Sequence, residues 1–146
     1  MCIRDSAVIG ALAIQLLRGE DPVRAGSLHP RRDFTFVSDT VDGFVRAATA
    51  ELEPGTVIQL GTGTAFSVAD VLDELRVLTG SKAEVVEDAQ RLRPQASEVQ
   101  VLLSDPSRAA ELLDWRPQVP FAEGLRATVE WLRERIDRLD PTRYYL

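Results

Sequence analysis

The stretch Thr56-Val-Ile-Gln-Leu-Gly-Thr-Gly63 constrains the fold more than any other. It reads as a buried strand, Thr56 to Leu60, that ends in Gly-x-Gly. Ser67 then opens a helix with Asp70 three residues on, the spacing of a capping box. Val68, Val71, Leu72, Leu75 and Leu78 supply the apolar face of that helix, and Gly80 ends it. Strand, tight turn and helix in this order build α/β folds.

The flanking sequence repeats the alternation. A helix is expected over Ala7–Arg18, stopped by Gly19, and a strand over Val23–Leu28. Pro30 to Asp33 is polar and reads as a turn before a strand at Phe34–Val37. Ser38 or Asp39 is expected to cap a helix through about Glu51, with Val41, Phe44, Val45 and Ala48 on its core face. After the Pro54-Gly55 turn and the central unit, a strand is expected at Ala83–Glu87, then a polar, irregular segment to Gln100. Asp105-Pro106 is an N-cap with proline at the first helical position, opening a helix to Leu113. A last helix is expected over Phe121–Leu139, with Phe121, Leu125, Thr128, Leu132 and Ile136 aligned. Residues 1–6 join abruptly to the first helix and read as a non-native leader, and residues 140–146 read as a tail.

The chain has 146 residues, enough for a sizeable single core and short for a reaction that needs two domains. A net charge of −6 argues against non-specific nucleic-acid binding, which depends on clustered Lys and Arg. A lone Cys2 makes a reducing, cytoplasmic setting the expectation. No apolar run approaches the roughly 20 residues of a membrane span. His29 is the only histidine and has no ligand partners at metal spacing, so neither a zinc site nor a Ser-His-Asp triad is expected.

Two features invite a phosphate. Gly61-Thr-Gly63 could present helix-terminal amides to an anion, with Glu87-Asp88 placed for a ribose. That arrangement resembles the first motif of Rossmann-like methyltransferases, although Ala65-Phe66 replaces the third glycine. Arg31-Arg32 and Arg91-x-Arg93 are the second feature: arginines on separate segments can clamp a diphosphate bidentately.

A series of blocks carries a more specific resemblance. They are Gly26-Ser-Leu-His-Pro-Arg-Arg-Asp-Phe-Thr-Phe-Val-Ser-Asp-Thr40, Ile58 to Gly63, Arg91 to Val99, Ser104-Asp-Pro-Ser-Arg-Ala109, Asp114-Trp-Arg-Pro117, Phe121-Ala-Glu-Gly-Leu125 and Thr128-Val-Glu-Trp131. In this order they resemble the extended short-chain dehydrogenases that act on nucleotide sugars, over about Ala7 to Arg135. The nucleotide-sugar 4,6-dehydratases are the nearest type, with 4-epimerases next. The resemblance implies the C-terminal portion of a Rossmann-type enzyme, with mixed helices and short strands and the N-terminal dinucleotide-binding part missing. It implies a homodimeric parent, NAD or NADP as its cofactor and a nucleotide-diphosphate sugar as its substrate. Arg32 and Arg93 match family arginines that reach the diphosphate. Glu98 matches an acidic residue suited to a ribose hydroxyl, and Gln59 stands where many members have Asn. Asp39 matches the family block but reads as a helix cap, and Trp115 and Trp131 read as packing residues. A stand-alone nucleotide-sugar-binding module remains an alternative of another class.

This family's proton transfer uses a Tyr-x-x-x-Lys pair. The only lysine here is Lys82 and the only tyrosines are Tyr144 and Tyr145, so the pair cannot be drawn from this sequence. Incubation of the isolated chain with a nucleotide-linked hexose and NAD is expected to give no 4-keto-6-deoxy product. Chromatographic detection of that product would contradict the expectation.

Overall fold

A computed structural model describes residues 8–91 and 98–139. The leader, the tail and Arg93 lie outside the described residues. Five helices and five short strands are mixed along them: α1 Val8–Leu17, β1 Val23–Ala25, β2 Arg31–Asp33, α2 Val37–Thr49, β3 Ala65–Ser67, α3 Val68–Thr79, β4 Val85–Glu87, β5 Val101–Leu102, α4 Ser107–Leu113 and α5 Phe121–Arg133. The chain divides into two compact units. Unit 1 takes residues 1–30, 67–98 and 125–146, and unit 2 takes residues 31–66 and 99–124.

Unit 1 is built on α1, α3 and a two-stranded parallel sheet of β1 and β4. Leu12, Ala13 and Leu16 of α1 and Val68, Val71, Leu72 and Leu75 of α3 are buried, as are Leu125, Val129 and Leu132 of α5. The capping box forms as expected: Ser67 Oγ accepts from the Asp70 N–H, and the Asp70 carboxylate accepts from the Ser67 N–H. Gly80 closes α3 at φ +71°, a left-handed conformation that favours glycine. Gln15 is the buried polar residue here. Its side chain accepts from Arg24 N and donates to the Arg24 and Ala11 carbonyls, so the amide continues β1's hydrogen bonding into α1. Two expected strands shorten to β1 and β4, and the last helix ends at Arg133, with a separate 3₁₀ turn over Ile136–Arg138.

Unit 2 holds a three-stranded sheet of order β3-β2-β5, in which β2 and β5 run parallel, Arg31 opposite Val101 and Arg32 opposite Leu102. Two sequence-based expectations need correction here. The polar run expected as a turn is strand β2, and Phe34–Val37 is not a strand. Arg31 and Arg32 suit a strand because their side chains lace it to its surroundings. Arg31 Nη2 donates to the Ala65 carbonyl at 2.7 Å and Arg32 Nη1 to the Val99 carbonyl at 2.7 Å. Phe34 instead packs on Phe121, which stacks on Phe66 with centroids 4.1 Å apart. Strand β5 has no counterpart among the expected strands, and residues 56–60 join no strand ladder among the described residues.

Helix α2 starts one residue before Ser38, with Phe36 as its N-cap. Asp39 is therefore inside the first turn and is not the cap. It is buried, and its Oδ2 accepts from the N–H groups of Gln118 and Val119 at 3.1 and 3.0 Å. Its carbonyl accepts from Trp115 Nε1 at 2.9 Å. Trp115 forms the core of this unit with Ala109 and Leu113, packed by Ala47, Ile58 and Leu60. Trp131 departs from expectation: it is half exposed beneath the Arg135 guanidinium.

The apolar stripe of α2 faces outward. Val37, Val41, Phe44 and Val45 are each more than half exposed. Exposed apolar surface is expected from the sequence on residues 7–17 and 57–60. Helix α1 instead buries its face, and among residues 57–60 only Val57 is strongly exposed for an apolar side chain. Contiguous apolar surface of this kind drives association. Phe44→Ser with Val45→Ser is expected to reduce self-association of the isolated chain in light scattering. The same change should shift thermal stability by no more than about 0.5 kcal/mol per site, as for other surface substitutions. Leu75→Ala, in the core of unit 1, is expected to cost about 2–5 kcal/mol.

Candidate functional site

The centre of unit 2 is the Asp33 carboxylate at the end of β2. Its Oδ1 accepts from Thr62 N at 2.9 Å and Thr62 Oγ1 at 2.6 Å. Its Oδ2 accepts from Gly63 N at 3.0 Å and more weakly from Ser104 N at 3.4 Å. One carboxylate thus gathers β2, the Gly61–Gly63 turn and the segment after β5. The turn is built to let it in. A Cβ on Gly61 would stand 2.3 Å from Ser104 Cβ and 2.7 Å from Asp33 Oδ2.

This arrangement overturns the phosphate reading of Gly61-Thr-Gly63. The Thr62 and Gly63 amides do bind an anion, but it is the chain's own Asp33. A methyltransferase-like or dinucleotide cradle does not fit there. The acidic pair named with it lies in unit 1, where Glu87 ends β4 and Asp88 pairs with Arg91 at 3.3 Å.

Of the expected substrate contacts, Arg32 and Gln59 both belong to unit 2. Arg32 is half buried, and its Nη1 bridges the Arg31 and Val99 carbonyls at 2.9 and 2.7 Å. Gln59 is exposed, and its Oε1 accepts from Asp105 N at 3.0 Å. Its amide oxygen thus holds the chain entering α4. Glu98 is half buried and belongs to unit 1. The expected start of α4 moves by one residue: the helix begins at Ser107 with Pro106, not Asp105, as its N-cap, while Asp105 Oδ1 accepts from Ser107 N at 3.0 Å. Hydrogen bonds from the Ser107 backbone and hydroxyl hold its carboxyl below the usual carboxylate range. At the other end of α4, Arg46 Nη1 donates to the Leu113 and Asp114 carbonyls, filling orphan acceptors of the last turn. Sequence reasoning gives no role to Asp33 and misses the clasp made by Asp39. Their one visible signal is an acidic residue beside an apolar run with no obvious partner.

A family model described as GDP-mannose 4,6 dehydratase matches residues 6–128. The chain belongs to the NAD-dependent epimerase/dehydratase family. The UDP-glucuronate 4-epimerase of Thermodesulfobacterium geofontis is 32% identical over 128 residues, covering 85% of this chain and 37% of that protein. An epimerase structure from Methanothermobacter thermautotrophicus superposes with a TM-score of 0.80 at 32% identity, over 90% of this chain and 38% of that one. The UDP-glucuronic acid 4-epimerase of Bacillus cereus, solved with UDP-glucuronic acid and NAD, gives 0.76 at 26% identity, over 87% of this chain and 40% of that one. The epimerase/dehydratase chain thus spans about 40% of the relatives it matches and corresponds to the C-terminal portion of their Rossmann-type fold. Among its described residues, no helix is long and apolar enough to cross a membrane, and no group of His, Cys, Asp and Glu is placed to hold a metal ion.

The tight approach at Gly61 is open to test. Gly61→Ala is expected to destabilise unit 2 by about 1–3 kcal/mol, the usual cost of overpacking. Adding Ser104→Gly removes the nearer clash and should recover part of that loss. A double-mutant cycle on thermal melts would read the coupling.

Proposed function

We propose that this chain supplies the nucleotide-sugar-binding part of an NAD(P)-dependent enzyme that modifies the hexose of a nucleotide-diphosphate sugar. Membership in the epimerase/dehydratase family carries the reading. In it, Arg32 and Arg93 each contact the diphosphate. Glu98 takes a ribose hydroxyl, and Gln59 presents an amide where relatives have Asn. Guanidinium groups suit the task because their planar fork matches phosphate oxygens bidentately. Arg32 enters it with Nη1 already tied to backbone carbonyls, which limits the entropy lost on binding.

Two reactions fit the same binding part. A 4,6-dehydratase accords with the family model that matches most of the chain. A 4-epimerase accords with the function named for the relatives. The hydride chemistry of either would come from NAD(P). The Gly-Thr-Gly amides, which bind Asp33, take no part in holding the dinucleotide in this reading. In this reading the role of this chain's residues is to hold and orient the substrate.

Calorimetry with UDP-glucuronic acid and GDP-mannose tests the reading. The chain is expected to bind at least one of them. An Arg32→Ala, Arg93→Ala double variant should lose about tenfold or more per arginine, the range for hydrogen bonds to charged groups. Unchanged affinity in that variant would remove both arginines from the site. A longer protein containing this sequence that binds a nucleotide sugar but converts none would favour the non-catalytic binding module.

A further inference from the structure

Asp33 holds segments that adjoin the two unit-2 residues of the proposed site. Arg32 is its neighbour on β2. Successive strand side chains point to opposite faces, so Asp33 can grip the Gly61–Gly63 turn without occupying the face that Arg32 takes. Gln59 lies three residues before Thr62, one of the groups Asp33 holds, and bonds to Asp105, next to Ser104, another of them. The Gln59–Asp105 bond is therefore bracketed by two contacts to a single carboxylate.

We infer that Asp33 is a positioning residue for nucleotide-sugar recognition, setting the placement of Arg32 and Gln59 while touching no substrate itself. The inference rests on the proposed function for its consequence but on the hydrogen bonds of unit 2 for its geometry. A carboxylate is needed because the four donors facing it are all N–H or O–H groups, and an ionised carboxylate only accepts. Asparagine keeps the shape, but its NH₂ would face donors.

Asp39 supplies the control. It makes a similar carboxylate–amide clasp in the same unit, to Gln118 and Val119, with no bond to the segments of Arg32 or Gln59. The full chain and its Asp33→Asn and Asp39→Asn variants would be compared at a temperature where all are folded. UDP-glucuronic acid and GDP-mannose would be titrated into each. Asp33→Asn is expected to weaken binding about tenfold or more, and Asp39→Asn less than about twofold. Equal losses, or none with Asp33→Asn, overturn the inference while leaving the site reading intact. No binding by the unmodified chain overturns the site reading instead.

A ligand-free arm then decides the positioning role by itself. Hydrogen exchange at the Thr62, Gly63 and Ser104 amides should rise together in Asp33→Asn, and the Arg32 Nε–H resonance should broaden or shift. Faster exchange with an unchanged Arg32 resonance would make Asp33 structural only. Should Asp33→Asn not fold, Thr62→Val removes one donor and leaves the carboxylate, and the same readouts should move in the same direction by less. An unmoved Arg32 resonance in Thr62→Val would then overturn the role.

Discussion

An anion bound from within organises unit 2. Asp33 accepts two backbone N–H groups of the Gly-Thr-Gly turn, a threonine hydroxyl and a more distant N–H from Ser104. Hydrogen bonds to an ionised acceptor are roughly twice as strong as neutral ones. The arrangement also discharges amides that a glycine turn would otherwise leave unpaired. The need for Gly61 comes from it, because no Cβ fits between Ser104 and the carboxylate. The direction of β2 does too, since its last residue is pinned while Arg31 and Arg32 lace its length to Ala65 and Val99.

The same device recurs at Asp39, with a different purpose. There a carboxylate inside the first turn of α2 holds the 118–119 backbone, and Trp115 donates its indole N–H to that turn. A charge near a helix start also opposes the macrodipole's positive end favourably. Two buried or half-buried carboxylates and one indole thus do in unit 2 what a longer sheet does in larger α/β folds.

Local features are legible in the sequence and distant ones are not. The Ser67–Asp70 box and the Gly80 stop are readable because each is settled within a few residues. The start of α4 is read to within one residue for the same reason, with Pro106 rather than Asp105 as its N-cap. Strand β2 is not, because its polarity says turn until the carbonyls that its arginines meet are known. The α2 stripe shows a limit of periodicity: Val41, Phe44 and Val45 do align, yet alignment says only that a face is apolar, not that anything in the chain covers it. At the candidate site, the ordered blocks of motifs are enough to place the family. The role of Asp33 is invisible because its partners lie about 30 and 70 residues away.

Two glycines around one residue after a strand can mean a cradle for a ligand's phosphate or a close approach within the protein. The spacing is the same in both cases, and only the destination of the amide hydrogens separates them. Here they end on Asp33. An incoming diphosphate would have to compete with a carboxylate that is covalently present and already aligned, so a negative ligand would be repelled from this turn. Phosphate recognition in unit 2 then falls to groups outside this turn, a task that suits a cationic side chain. Arg32 lies beside the internal anion on a strand that the anion fixes. The carboxylate that denies the turn to phosphate therefore also serves the neighbouring guanidinium, by holding its strand rigid.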